Sequence, residues 1–426
     1  MKTAFINGII LDCTENMEPL KDKVLIVEDE KISGIYDKDH DLSDCQLVDL
    51  KGRYLMAGLI NMHVHLAGNG KPQKKQRDNK KLVDTIFAVP GGAAVARKLH
   101  ESWARLELLS GVTTVRTVGG LRTFDTELRD AINSGKKVGP RILAGNEGIT
   151  VVGGHMEGSV ARAAHNNEEA IAMVDRLARE KTDLVKVMIT GGVMDAKVKG
   201  APGEIKMPAE MVKAVCQRAK EHGMYVSAHV ESPEGVKLAL ENGVTSIEHG
   251  AKPDEETIKL FKEKKAFLIT TLSPALPYAL FDPAITNVSE VEQYNGKVVF
   301  DGIIECSKTA LANGIPVGLG NDVGCPWVSA YDFWRELVYF HNYVGVSNKF
   351  ALYTATLRNA QLAGIDKITG SLEAGKYADM IVTENNPLDD LKTLQHVQMV
   401  VHKGHIIDHP QYRRKAILDQ ELGKFI

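Results

Sequence analysis

Hydrophobic positions along this chain follow two periods. Between residues 55 and 363, apolar runs of strand length alternate with amphipathic stretches of helical period; toward both ends the period falls to two. The opening run at 55–65 is followed by strands expected at 112–118, 141–144, 183–189, 225–230, 245–249, 266–271 and 316–322. Helices are expected at 93–110, 127–134, 168–181, 208–222, 233–242 and 255–265, then through Ala312, and at about 330–343 and 348–363. Gly111, Gly223, Gly243 and Gly314 stand where helices should stop. Strands alternating with helices mark a parallel α/β architecture, and eight such units are the count for a (β/α)₈ TIM barrel.

The ends read differently. Thr3 to Ile6 and Ile9 to Leu11 flank Asn7-Gly8, a hairpin signal, and 24–27 with 32–36 makes a second hairpin. A third is expected from 397–401, the turn at Lys403-Gly404, and Ile406-Ile407. The expectation is a small β-sandwich domain composed of residues 1–54 and 370–426, beside a barrel of residues 55–369.

Composition narrows the class. The chain has 426 residues, 44% hydrophobic and 25% charged, which suits a soluble globular protein of one large and one smaller unit. A formal net charge of -3 gives no reason to expect nucleic acid or an anionic membrane as partner. No apolar run reaches the roughly 18 residues of a membrane-spanning helix, and the N-terminus lacks a signal-peptide core. Five scattered cysteines without a C-x-x-C pair fit reduced thiols in a cytoplasm.

The chemistry begins at Asn61-Met62-His63-Val64-His65. Residues i and i+2 of a strand share a face, so His63 and His65 aim two imidazoles at one point. Alone, the pair reads equally as two metal ligands or as a solvated pair. Polar residues at the C-terminal ends of the other strands change that balance, because barrel active sites lie on that rim. Toward that rim the fourth strand supplies Lys186, the fifth His229, the sixth His249 and the eighth Asp322. Each has an ordinary structural explanation, Asp322 as a helix N-cap for example; all six together on one rim point to a site.

These residues resemble the amidohydrolase superfamily of metal-dependent hydrolases. The likeness runs through Ala57 to His65, through Val185-Lys186-Val187-Met188 with the Thr190-Gly191-Gly192 that follows, through Ser246 to Gly250, and through Gly370 to Asp379. It is nearest to the prolidase-like, imidazolonepropionase-like branch. The resemblance implies two divalent metal ions, zinc in most relatives. His63, His65 and Asp322 would hold one and His229 and His249 the other, with Lys186, carbamylated by carbon dioxide, bridging them. A free ammonium has no lone pair to give, whereas a carbamate is an anionic oxygen ligand. Water shared by two cations becomes available as hydroxide near neutral pH, and Asp322 would carry its proton to the leaving nitrogen. His155, in Gly153-Gly154-His155, resembles the branch's loop histidine that contacts the scissile carbonyl oxygen.

Two features depart from the pattern. Glu231 follows His229 where several dipeptide-cutting relatives carry an aromatic residue, and it reads as a contact to a cationic substrate group or as a structural ion pair. Asn321 precedes Asp322 where many relatives have Thr. Lys71, Lys74, Lys75, Arg77, Lys80 and Lys81 crowd the first loop. They form a solvated loop or a lid that steers carboxylate substrates. Trp327 and Cys325 are candidates for the pocket mouth. The expected function is metal-dependent hydrolysis of an amide (C–N) bond in a small substrate such as a dipeptide or N-acyl amino acid, by a homo-oligomer. The alternative is a cyclic amidase, lactonase, or imidazolonepropionase-like hydrolase or deaminase acting on an N-heterocycle. A non-catalytic assembly protein on this fold would be expected to lack ligands that are present here.

Overall fold

The computed structural model describes residues 2–73 and 78–426. The central strands run parallel in two ladders. Leu59–Val64, Val112–Thr117 and Arg141–Leu143 form one. The other takes Ala161–Ala164, Gly148–Val151, Leu184–Met188, Tyr225–Val230, Ser246–His249, Phe267–Thr270 and Val317–Leu319 in that spatial order. Five of these ten strands are buried along their whole length and the others for most or part of theirs, as expected of parallel strands covered on both faces.

Hydrogen bonds join the ladders at both margins. The Asp183 N–H donates to Ala144 O at 2.8 Å; on the other side Asp322 N–H donates to His63 O at 2.9 Å and His65 N–H to Val323 O at 2.8 Å. Buried Asn359 pins this second margin, with Nδ2 donating to Ile60 O (2.7 Å) and Leu319 O (2.8 Å). It places the His63–His65 segment directly beside Asp322.

The third unit is more elaborate than its periodicity suggested. After Arg141–Leu143 the chain forms two further strands, Gly148–Val151 and Ala161–Ala164, and the loop between them carries His155. Helices follow the amphipathic stretches closely: the first long one is Gly92–Leu109, and Gly111, at φ +99, takes the left-handed conformation that ends it.

Strands from the two chain ends pair with each other. Met380–Thr383 lies antiparallel to Tyr54–Ala57, which in turn pairs in parallel with Ile9–Leu11. A second sheet holds Lys31–Asp37, Lys23–Glu28, Lys2–Ile6 and Cys45–Asp49. The hairpins of Lys23–Glu28 with Lys31–Asp37 and of Met399–His402 with His405–Asp408 form as expected. The hairpin at Asn7-Gly8 does not. Lys2–Ile6 and Ile9–Leu11 belong to different sheets, so Asn7, at φ +55, turns the chain from one sheet to the other. A local turn signal fixes the bend but not the partner, and burial of Phe5 and Ile10 in one core decides it.

No helix among the described residues is long and apolar enough to cross a membrane. The five cysteines are unpaired.

Candidate metal centre

The strand ends bring the expected side chains together. His63 Nε2 and His65 Nε2 lie 3.6 and 3.3 Å from Asp322 Oδ1. The His63 and His249 rings are 4.8 Å apart between centroids, and those of His229 and His249 are 4.7 Å apart. Donor atoms of His63, His249 and Asp322 lie within 4.8 Å of one another, and so do those of His229, Glu231 and His249. His249 and Asp322 both adopt positive φ, +66 and +60, a strained conformation for such residues that clusters at functional sites.

Each imidazole has one nitrogen already engaged. His63 Nδ1 faces Glu248 Oε2 at 2.8 Å, His65 Nδ1 faces Gly119 O at 2.8 Å, and His249 Nδ1 faces Thr271 Oγ1 at 2.6 Å. His229 is tied by its other nitrogen, with Nε2 3.3 Å from Gly191 O. Metal-ligating histidines are held this way: the outer hydrogen bond fixes the tautomer and orients the remaining lone pair. Burial and the nearby Lys186 push His63 down to about 4, and burial likewise drives His229 and His249 well below the usual histidine range. At neutral pH these rings are uncharged and can donate lone pairs.

Lys186 is 1% exposed, and its Nζ has no hydrogen-bond partner. Burial, joined by Arg116, outweighs the pull of Glu248 and Asp322 and brings its ammonium down to about 8. Asp322 Oδ1 is also buried and, among the described residues, accepts no hydrogen bond, with the His63 and His65 rings beside it. Burial alone would raise its carboxyl, but the histidines and Lys186 hold it at about 2, so it is ionised at neutral pH. Polar atoms orphaned in a buried site are costly unless something satisfies them. Neutral imidazoles with aimed lone pairs, an ionised carboxylate and a partnerless amine fit divalent cations.

His155 stacks on His229 with centroids 4.0 Å apart and planes 8° from parallel. Its Nδ1 is 2.5 Å from Asp195 Oδ2, which also accepts the Gly192 N–H at 2.9 Å. Neither Glu248 nor Asp195 was singled out from sequence. Glu248 is the hub of the buried polar network: it takes Arg116 Nη2 at 2.7 and 2.8 Å and hydroxyls from Ser227 (2.7 Å) and Ser246 (2.5 Å), besides holding His63. The one available signal was its place next to His249.

Glu231 lies at this site but forms no structural ion pair: among the described residues no basic side chain reaches it. Its Oε2 accepts the Val193 N–H at 3.1 Å. Asn321 packs behind the site, where its Oδ1 accepts from Asn61 Nδ2 at 2.7 Å. Met194, Tyr278, Pro326 and Trp327 line one cavity. Tyr278, on the wall of this cavity, has its phenol raised by burial and then by Cys325, Glu292, Glu231 and Asp322. Lys74, Lys75 and Arg77 of the basic loop lie outside the described residues; Lys80 reaches Glu157 at 3.3 Å, in the loop that carries His155.

Imidazoles, a lysine and a carboxylate gathered at the ends of parallel strands define a hydrolase of the metal-dependent kind. The chain belongs to the Amidohydrolase family, whose profile matches residues 54–407, and it is an enzyme acting on carbon–nitrogen bonds. Ochratoxinase from Aspergillus niger is 26% identical over 416 residues, covering 90% of this chain and 82% of that protein. Imidazolonepropionase from Brevibacillus brevis is 26% identical over 407 residues, covering 89% and 86%. Among solved structures, a Bifidobacterium longum protein assigned as a prolidase superposes with a TM-score of 0.87 at 32% identity, covering 99% of this chain and 98% of that one. A Xaa-Pro dipeptidase with methionine in its active site superposes at 0.84 and 28% identity, covering 96% and 100%. The similarity places the chain in the prolidase-like, imidazolonepropionase-like branch.

Proposed function

We propose that this enzyme hydrolyses the amide bond of a small substrate, a dipeptide or an N-acyl amino acid. The observation that carries this reading is the buried, partnerless Lys186 amine amid four imidazoles and Asp322. In this reading the two parallel ladders close as a (β/α)₈ barrel of residues 55–369, and residues 1–54 and 370–426 form the accompanying β-sandwich. His63, His65 and Asp322 would hold one zinc ion and His229 and His249 the other, with Lys186, as its carbamate, supplying an anionic oxygen ligand. The ions, when bound, polarise the carbonyl and lower the pKa of water.

The remaining steps belong to the side chains. Asp322 is an ionised acceptor beside His63 and His65; it takes a proton from the attacking water and returns it to the leaving nitrogen. His155 is oriented by Asp195 at Nδ1 and, when protonated, presents Nε2–H to the carbonyl oxygen as negative charge develops there. The cavity of Met194, Tyr278, Pro326 and Trp327 receives an apolar part of the substrate.

The test is zinc-reconstituted protein assayed against dipeptides, N-acyl amino acids and cyclic amides, with products identified by mass. Release of a free amino acid from the first two classes is expected. Turnover of cyclic amides alone would move the assignment to ring opening, in line with the imidazolonepropionase similarity. No turnover of any class, with two metals bound, overturns the amidase reading.

A further inference from the structure

We infer that Glu231 is a metal ligand, the third protein side chain on the ion held by His229 and His249. This rests on the reading that those two histidines bind a metal and extends the ligand set beyond them. One carboxylate oxygen of Glu231 lies within 4.8 Å of a ring nitrogen of both His229 and His249, and those two nitrogens are equally close to each other. Three donor atoms so grouped surround a point that a cation with bonds of about 2.0–2.2 Å can occupy after small adjustments.

The Glu231 backbone is held from two sides, and its carboxylate by one hydrogen bond. The Glu231 backbone N–H donates to Thr190 Oγ1 at 3.1 Å. Gly203 packs so tightly on the Glu231 carbonyl that a Cβ there would lie 2.5 Å from it. Gly192 leaves room for both the carboxylate and His155: a Cβ on it would sit 3.4 Å from Glu231 Oε2 and 3.0 Å from His155 Cε1. Oε2 takes the Val193 N–H, which is how ligating carboxylates are commonly oriented. A carboxylate has about four acceptor positions, so this one bond leaves capacity for a cation.

The charges around it point the same way. No Lys or Arg pairs with Glu231 among the described residues, while the nearby charged groups include Asp195 and Asp322. A divalent ion between Glu231 and the histidines would supply the positive charge that these acidic surroundings lack. A substrate ammonium would also relieve the carboxylate, but it would not account for the convergence of two imidazoles on the same point. The consequence is a second ion held by His229, His249 and Glu231 without requiring the carbamate on Lys186.

Metal binding tests this without any substrate, so failure of the amidase reading leaves it standing, and its own failure leaves amide hydrolysis untouched. Apoprotein is titrated with zinc against a chelator, and bound metal is counted after gel filtration. Wild type is expected to hold two ions per chain. Lys186→Ala should keep a weakened second ion, whereas Lys186→Ala combined with Glu231→Gln should hold one. Glu231→Gln alone should weaken the second equivalent by at least about tenfold, the lower end of what even outer-shell partners contribute. An unchanged second equivalent in Glu231→Gln overturns the inference. Should that variant fail to fold, the wild-type protein decides: anomalous diffraction from zinc-loaded crystals should place a Glu231 oxygen at a ligand distance of about 2.0–2.2 Å, and a carboxylate standing clear of the ion overturns it.

Discussion

His63 Nδ1 lies 2.8 Å from Glu248 Oε2, and both side chains are fully buried. The carboxylate fixes which nitrogen of His63 carries the proton and which lone pair faces Asp322. The same carboxylate neutralises Arg116, so one acid holds both a structural cation and the His63 imidazole.

Glu248→Gln should therefore weaken zinc at the His63–His65 position by about 10- to 100-fold, read by chelator competition. Glu248→Ala should be worse in a different way. It leaves the Arg116 guanidinium buried and unpaired, at a cost of about 3–5 kcal/mol, visible in denaturant unfolding. Equal metal affinity in Glu248→Gln and wild type would show that the contact does not tune the ligand.

Lys186 gives a pH signature in the metal-free protein. Its folded pKa, about 8, lies below its unfolded value of 10.5, so protonation is disfavoured by folding. The penalty is fully present below about 8 and fades as pH rises to 10.5. Apo Lys186→Met should thus be more stable than apo wild type at neutral pH, by on the order of 3 kcal/mol, and the gap should close between pH 8 and 10.5. A gap that widens over that range would reverse the sign of the argument.

His155→Asn should lower kcat by about 10²- to 10³-fold, as loss of one oxyanion donor does, with both metals retained. Asp195→Ala should give a smaller fall in kcat, because the imidazole remains but loses the partner that orients it at 2.5 Å. Unchanged turnover in His155→Asn on a good substrate would remove that residue from the reaction.

Metal loading should stabilise the fold. Zinc at a hundredfold excess over its Kd should add about 2.7 kcal/mol per site, seen as a higher Tm that a chelator reverses. A Tm indifferent to zinc would mean that the orphaned Lys186 and Asp322 atoms are satisfied some other way.

Periodicity made much of this site legible. Strand alternation put His63 and His65 on one face, and Asp322 Oδ1 is within 3.6 Å of both. Helix-stop glycines and apolar runs located the strands that carry Lys186, His229, His249 and Asp322 to the site, because burial of parallel strands leaves little freedom in their composition; Lys186 sits in the middle of Leu184–Met188 rather than at its end. The same alternation hid Glu248. Adjacent residues of a strand should face opposite sides, yet Glu248 bonds His63 and His249 packs its ring against the same His63. The φ of +66 at His249 ends the regular strand and breaks the alternation.

The residues that lone patterns could not pair are those joined across long stretches of chain. Asp195 meets His155 from 40 residues away, and Asn359 reaches Ile60 across 299. The Asn7-Gly8 bend was visible, but which sheet received Ile9–Leu11 was not. The sequence by itself determined the strand–helix alternation, the two His63–His65 imidazoles on one face and the identity of the six polar strand-end residues, since these depend on local period and residue chemistry. Tertiary packing settled the rest: among the described residues Lys186 Nζ has no hydrogen-bond partner, Glu248 serves His63 and Arg116 at once, and Glu231 stands beside His229 and His249 with no Lys or Arg paired to it. Hydrogen-bond satisfaction and burial are properties of what surrounds a side chain, and neighbours distant in the chain supply those surroundings.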